Sequence, residues 1–414
     1  MTHVGAVGAI AAGTSLTERE RVERWRAVYD SIYAAASADP DPTFNVAGWR
    51  SRYDRKPFPA PAMHAWLEDT LERLLAEAPR HVWELGCGTG LILFRLAPHC
   101  ESYYATDISP AALRYVNATL QGSASIPASR VCLLEAPADQ LPDPALRFDT
   151  VILNSVVQHF PGIEYLDRVL QGILQRVSPG GRVYIGDVRD LALLPALHAD
   201  IEARRAPSHL SAEELSVRIQ RAIDLESELV LAREYFLRLP ERFPAVKHVE
   251  IQLKRGDFPA ELAQFRYEAI LHCGARPLVP DAARLPWSPE LNESRVWELL
   301  SRDRPGLLHL AGIPNARLAR PLGPSAARPY PDLGLDPAAL VRIGSERDYR
   351  TELHACCDGD AGKFEALWRA PPHIRGAPRA LPPPGSAVPT TIPLANSPAA
   401  WHSPALADPG LGRR

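Results

Sequence analysis

Apolar residues recur along this chain in two rhythms. Between 17 and 33 they fall at helical spacing (Val22, Trp25, Tyr29, Ile32 and Tyr33), and Thr17 with Glu20 supplies a capping box for such a helix. A loop of aromatic residues and prolines follows at 44–61, then a second helical pattern at about 62–78. From His81 the rhythm changes. Apolar runs at 81–85, 102–106, 130–136, 148–154 and 181–187 alternate with helical segments. One of these helices starts with Ser109 as N-cap and Pro110 at its first position; another lies near 163–177. Such alternation predicts an α/β fold with a Rossmann-like, doubly wound, mainly parallel sheet.

The remaining pattern sets expected boundaries. Residues 190–238 read as a helical insertion, with Ser211 and Glu214 as another capping box. Two strand-like runs, 248–256 and 265–272, are expected to close the sheet with an antiparallel edge. Helix–strand patterns at 296–310 and 337–368 predict a small accessory α/β lobe over 276–370. The organisation expected is therefore a disordered extension (1–16), a helical cap (17–78), a core (79–275) carrying a lid at 190–238, the lobe, and a tail (371–414).

Composition narrows the function classes. The 414 residues are 46% hydrophobic and 23% charged, with a formal net charge of −3. That balance describes a globular protein and gives no electrostatic ground for a nucleic-acid partner. No run approaches the roughly 18 apolar residues of a membrane span. The six cysteines (87, 100, 132, 273, 356, 357) form no CxxC pair, so reduced thiols in a cytoplasm are expected and neither a disulfide scaffold nor a zinc site is. Of 41 prolines, 11 fall from Pro371 onward, which predicts a disordered tail.

Chemistry starts at Glu84-Leu-Gly86-Cys87-Gly88-Thr-Gly90. Glycines after a strand let the backbone turn sharply and approach a ligand. Their G-x-G-x-G spacing differs from the G-x-G-x-x-G of pyrophosphate binders. Glu84, directly before the turn, would repel a pyrophosphate and suits an ammonium or sulfonium. Asp107 ends the second strand, where an acid can accept from both ribose hydroxyls. These features specify an adenosine carrier and favour S-adenosylmethionine (SAM); the plainer alternative is a Rossmann-like sheet with incidental glycines.

ELGCGTG, the TDIS containing Asp107, and FDTVILNSVVQHFP (148–161) resemble class I SAM-dependent methyltransferases. FNVAGWRSRYDRKPFPAPAM, LNSVVQHFP, GGRVYIGDVR, HVEIQLKRG, FRYEAILH and AGIPNARLARPL together resemble the methyltransferase domains embedded in nonribosomal peptide synthetases, over roughly 20–370. The resemblance implies methylation of an amino nitrogen, on an aminoacyl or peptidyl group held by a carrier protein or on a free small molecule, with docking to a synthetase or carrier. There are departures. His159 stands where the family usually has tyrosine, Arg50-Ser51-Arg52-Tyr53 where Asn-Ser-Ser-Tyr is common, and Ala260 where an Asn is common. LANSPAAW (394–401) looks like a faint echo of the junction at which such a domain continues into synthetase sequence.

Candidate residues follow. Glu84, Gly86, Cys87, Gly88, Gly90 and Asp107 would hold the donor, with Asn154 at its methionine end and Ala138 beside the adenine. Cys87 is read as a small filler. His159, Asp187 and Glu250 are the catalytic candidates: His159 as a base or a loop histidine with a structural bond, Asp187 as an acceptor for a substrate N–H, a partner for its ammonium or a structural acid, Glu250 as an inward or a solvent-facing carboxylate. Tyr53 would cover the pocket, or pack. No metal is required. Two other readings stay open: an O-methyltransferase acting on a hydroxyl or carboxyl, which His159 and the altered loops favour, and a non-catalytic interaction module.

Overall fold

The computed structural model describes residues 17–35, 41–205, 210–258, 260–274, 284–318, 334–356, 360–371 and 393–398. The extension 1–16 and most of the tail lie outside them. Two helices come first, α1 (Glu18–Ala34) and α2 (Ala60–Leu75). Thr17 and Glu20 form the reciprocal capping box of α1.

Eleven strands follow: β1 (His81–Leu85), β2 (Ser102–Asp107), β3 (Val131–Glu135), β4 (Phe148–Asn154), β5 (Val177–Arg189), β6 (His248–Leu253), β7 (Arg266–Cys273), β8 (Arg284–Pro286), β9 (Leu307–Pro314), β10 (Arg350–Ala355) and β11 (Lys363–Arg369). They form one sheet in the order β3-β2-β1-β4-β5-β7-β6-β10-β11-β9-β8. β1 to β5 run parallel, and β7 lies antiparallel between β5 and β6.

The expectation of a closing antiparallel edge at 248–272 needs correction. β6 is not an edge, because His354 of β10 pairs with Gln252 and the C-terminal strands continue the same sheet. The strands of the accessory region thus extend the core sheet. Strand runs with period two announce a strand and say nothing of its partner. The edges are β3, mostly exposed or half-buried, and β8, whose exposed Pro286 suits a position that need not donate to a ladder.

Both faces of the central strands are covered, as a parallel sheet requires. Along β1, Val82 packs with Met63, Trp66 and Leu67 of α2, whereas Trp83 and Leu85 pack with Val169, Leu170 and Ile173 of the helix Ile163–Leu174. The insertion is helical at Leu194–Arg205 and Ala212–Asp224, then runs as irregular chain to the short helices Arg233–Leu237 and Leu239–Arg242. The second of its helices buries none of its side chains. Ser211 and Glu214 form its capping box.

Candidate active site

The carboxyl ends of β1, β2 and β4 open onto a cavity of about 620 Å³, a size suited to a small-molecule cofactor with part of a substrate. On one side lies the glycine turn. Gly86, Gly88 and Gly90 have φ of +72°, +53° and +84°, a region that side chains disfavour. A Cβ on Gly86 would sit 2.5 Å from Val156, and one on Gly88 3.0 Å from the Tyr33 hydroxyl. The turn is held by Gly86 and Cys87 N–H groups donating to the Thr106 carbonyl at 2.7 and 3.1 Å. The Gly88 N–H donates to Asp107 at 2.8 Å, as does that of Ser109.

Two buried carboxylates on this side have no cation beside them among the bonds described. Burial pushes Glu84 up to about 8, although the Tyr103 hydroxyl donates to it at 2.7 Å. Burial pushes Asp107 up to about 6, against the backbone N–H groups of Ser109, Gly88 and Ile108. Asn154 Oδ1 is a third buried acceptor, with no partner among the described residues. Such a set lacks donors and positive charge, and a ligand bearing an ammonium, a sulfonium and ribose hydroxyls brings both. The residues present fit SAM. Ala138, on the loop after β3, lines the same cavity. Cys87 is buried and its thiol is raised well above the ordinary range by burial, which makes it a packed thiol and no nucleophile.

Trp25, Tyr29 and Tyr33 of α1 complete the donor wall. In the sequence these three are indistinguishable from an ordinary packing stripe. Only their aromatic character hinted at a surface for a planar ligand.

Of the three catalytic candidates, one lines the cavity. His159 follows β4 in a short turn, packs on Trp25 with ring centroids 4.2 Å apart, and lies 2.8 Å through Nε2 from the Tyr29 hydroxyl. Burial, the largest influence, lowers its pKa to about 4, so it is neutral near pH 7 and a weak base.

Asp187 is fully buried beneath the cavity floor, outside the lining. It accepts from Ser155 Oγ at 2.6 Å, pairs with Lys254 at 3.3 Å, and pairs with Arg266. Although burial opposes the charge, Arg266 and Lys254 hold the carboxyl down to about 2. It holds Ser155 and Arg266, which line the cavity, while lying outside the lining itself. Asp187 and Ser155 both have left-handed backbone, φ +66° and +56°, a costly conformation that this network holds in place.

Glu250 is elsewhere. It points into the β-sheet side of β6, pairs with His272 at 3.0 Å and accepts from Gln252 at 2.8 Å. Gln252 in turn accepts from Arg73, so this acid belongs to a buried structural network. Of the two directions left open for it, Glu250 takes the buried one, and it lies outside the cavity lining, with β7 between β6 and β5.

The opposite wall carries Arg52, from the loop that departs from the family pattern, together with residues outside the candidate set. Arg52 reaches Glu226 at 3.0 Å and Glu228 at 2.9 Å, while buried Arg189 binds the same two at 2.7 and 2.8 Å. His198 Nε2 lies 3.2 Å from Glu226. Arg52 and Arg189 hold Glu228 down to about 2 against the effect of burial. Glu226 and Glu228 line the cavity and neither stands in a motif; they were invisible because two chain segments 174 residues apart must meet to pair them with Arg52. Tyr53 does not line the cavity. Its hydroxyl donates to Asp200 at 2.5 Å and its ring lies under Arg204 at 4.5 Å, fastening the 50–57 loop to the insertion. Among the described residues, no group of three or more His, Cys, Asp or Glu is arranged to hold a metal, and no helix is long and apolar enough to cross a membrane.

Comparison with known proteins agrees with this geometry. The family described as "Methyltransferase domain" matches residues 83–183. Chondramide synthase cmdD of Chondromyces crocatus is 36% identical over 359 residues, 85% of this chain and 9% of its own length. The probable non-canonical nonribosomal peptide synthetase CymA of Salinispora arenicola is 33% identical, over 82% of this chain and 4% of its own. The beauvericin nonribosomal cyclodepsipeptide synthetase of Beauveria bassiana is 33% identical, over 67% of this chain and 9% of its own. The chain thus spans less than a tenth of the length of each of these relatives. With a glycine cradle and two uncompensated carboxylates at the matched positions, this chain carries a class I SAM-dependent methyltransferase domain related to those embedded in nonribosomal peptide synthetases.

Proposed function

We propose that the protein methylates an amino nitrogen of an aminoacyl or peptidyl acceptor in the assembly of a peptide natural product. One observation carries this reading: the wall facing the donor side presents the carboxylates Glu226 and Glu228, held anionic by Arg52 and Arg189 and so able to accept from an amine. An amine with a pKa near 8 is partly free at neutral pH and needs no strong base. An alcohol would need a positioned one, and His159 at about 4 is poorly suited.

SAM supplies an electrophilic methyl on a sulfonium. The chain's own residues do the rest: Glu226 and Glu228 accept from the amine N–H, Asp187 keeps Ser155 and Arg266 in position, and the cavity aligns the partners, which can contribute several kcal/mol. The helices Leu194–Arg205 and Ala212–Asp224 cover this wall through Ile201, Glu202 and Ala222 and act as the lid that selects the acceptor. The similarity to peptide synthetases supports a synthetase setting, with the acceptor offered by a carrier in the cytoplasm. The test is incubation with labelled SAM and paired acceptors, aminoacyl and hydroxyacyl N-acetylcysteamine thioesters, followed by mass spectrometry. Methyl on nitrogen supports the reading; methyl on oxygen alone would replace it.

A further inference from the structure

Six residues far along the chain, 393–398, lie against the acceptor wall. The irregular segment 228–232 has β5 on one side, where the Leu231 N–H donates to the Arg189 carbonyl at 3.0 Å. Its other side is covered by the 393–398 segment. Leu231 bridges Ala395 in antiparallel fashion, and the Ala232 N–H donates to the Leu394 carbonyl at 3.0 Å. Asn396 does more. Its Nδ2 donates to the Glu228 carbonyl at 2.9 Å, its Oδ1 accepts from the Val230 N–H at 2.8 Å, and its own N–H donates to the Val230 carbonyl at 3.2 Å. At the far end Arg21 of α1 donates to the Pro398 carbonyl at 3.1 Å. These residues therefore differ from the disordered tail expected there.

We propose that Asn396 is a positioning residue for the acceptor, splinting the backbone that carries Glu226 and Glu228. The chemistry explains the residue type. Segment 228–231 lies outside helix and strand, so its polar backbone groups need partners from elsewhere. A primary amide offers a donor and an acceptor together, and so closes on a carbonyl and an N–H two residues apart. With that splint the two carboxylates meet Arg52 and Arg189 in one geometry. Without it the wall can drift while the glycine turn and Asp107, held by their own bonds, stay put.

The inference rests on the acceptor wall assigned above. The test uses the full chain with Asn396→Ala and Asn396→Asp, and Ser397→Ala as an exposed neighbouring control. SAM affinity is read by calorimetry, acceptor KM by initial rates, and amide exchange by mass spectrometry. In Asn396→Ala the acceptor KM should rise about tenfold, the loss expected from two ordinary hydrogen bonds. SAM affinity should stay within about twofold, and exchange across 228–232 should accelerate. Asn396→Asp keeps the bond from Val230 and loses the one to Glu228, so it should show a smaller rise and serves if the alanine variant does not fold. An unchanged acceptor KM, or SAM affinity weakening in parallel with it, overturns the proposal. If a hydroxyl acceptor proves to be the one methylated, its KM provides the same readout, so the splint and the amine reading fail separately.

Discussion

The Tyr29 hydroxyl and His159 Nε2 lie 2.8 Å apart, joining α1 to the turn after β4 across the donor wall. Both side chains are half-buried, and the histidine is neutral because loss of solvent lowers its pKa to about 4. His159→Gln should therefore lower kcat less than about tenfold, far short of the roughly 10²–10⁴ that loss of a working general base costs. Stability should respond as well. The unfolded histidine takes up a proton near pH 6.5 and the folded one near 4, so the unfolded chain binds more protons between these values. This contribution is complete above about pH 6.5 and is lost as pH falls toward 4. Melting temperatures across that window, compared with those of His159→Gln, check the sign.

Donor binding should release a proton. Glu84, raised to about 8 by burial, is largely protonated at pH 7, and a cationic ligand favours its carboxylate. The Kd for SAM should tighten as pH rises from 6 to 8, and calorimetry in buffers of different ionisation enthalpy should detect the proton. Glu84→Gln should weaken binding about tenfold to a hundredfold and flatten that pH dependence.

Gly88→Ala should weaken SAM binding by at least about tenfold, since left-handed backbone costs an alanine about 1–2 kcal/mol and its methyl would meet Tyr33. Adding Tyr33→Phe should recover the part due to contact with the hydroxyl, leaving the backbone part. Binding calorimetry on the two variants separates them.

Lys254 is fully buried between Asp187 and Glu268. Lys254→Met leaves two acids with less compensation and should destabilise the fold by about 3–5 kcal/mol. Adding Glu268→Leu should restore part of it, as denaturant titration would measure.

Much of the donor site was legible in the chain itself. Glu84, the three glycines and Asp107 lie within 24 residues on consecutive elements, so a local motif carries nearly all of their geometry. Asn154 and Ala138 follow from strand ends in the same half of the sheet. The acceptor side was not legible. Arg52, Arg189, Glu226 and Glu228 come from three separate parts of the chain, and the ion pairs that bury Glu250 and Asp187 join residues far apart in sequence.

Periodicity and turn chemistry thus determined the α/β class, the positions of β1 to β5 along the chain and the donor motif, because each depends on residues close in sequence. Tertiary structure decided the rest. It placed β7 between β5 and β6, ran the C-terminal strands on from β6, neutralised His159 by burial, and brought Asn396 against Glu228. Strand partners, burial and charge compensation depend on contacts between distant segments, and no local pattern encodes them.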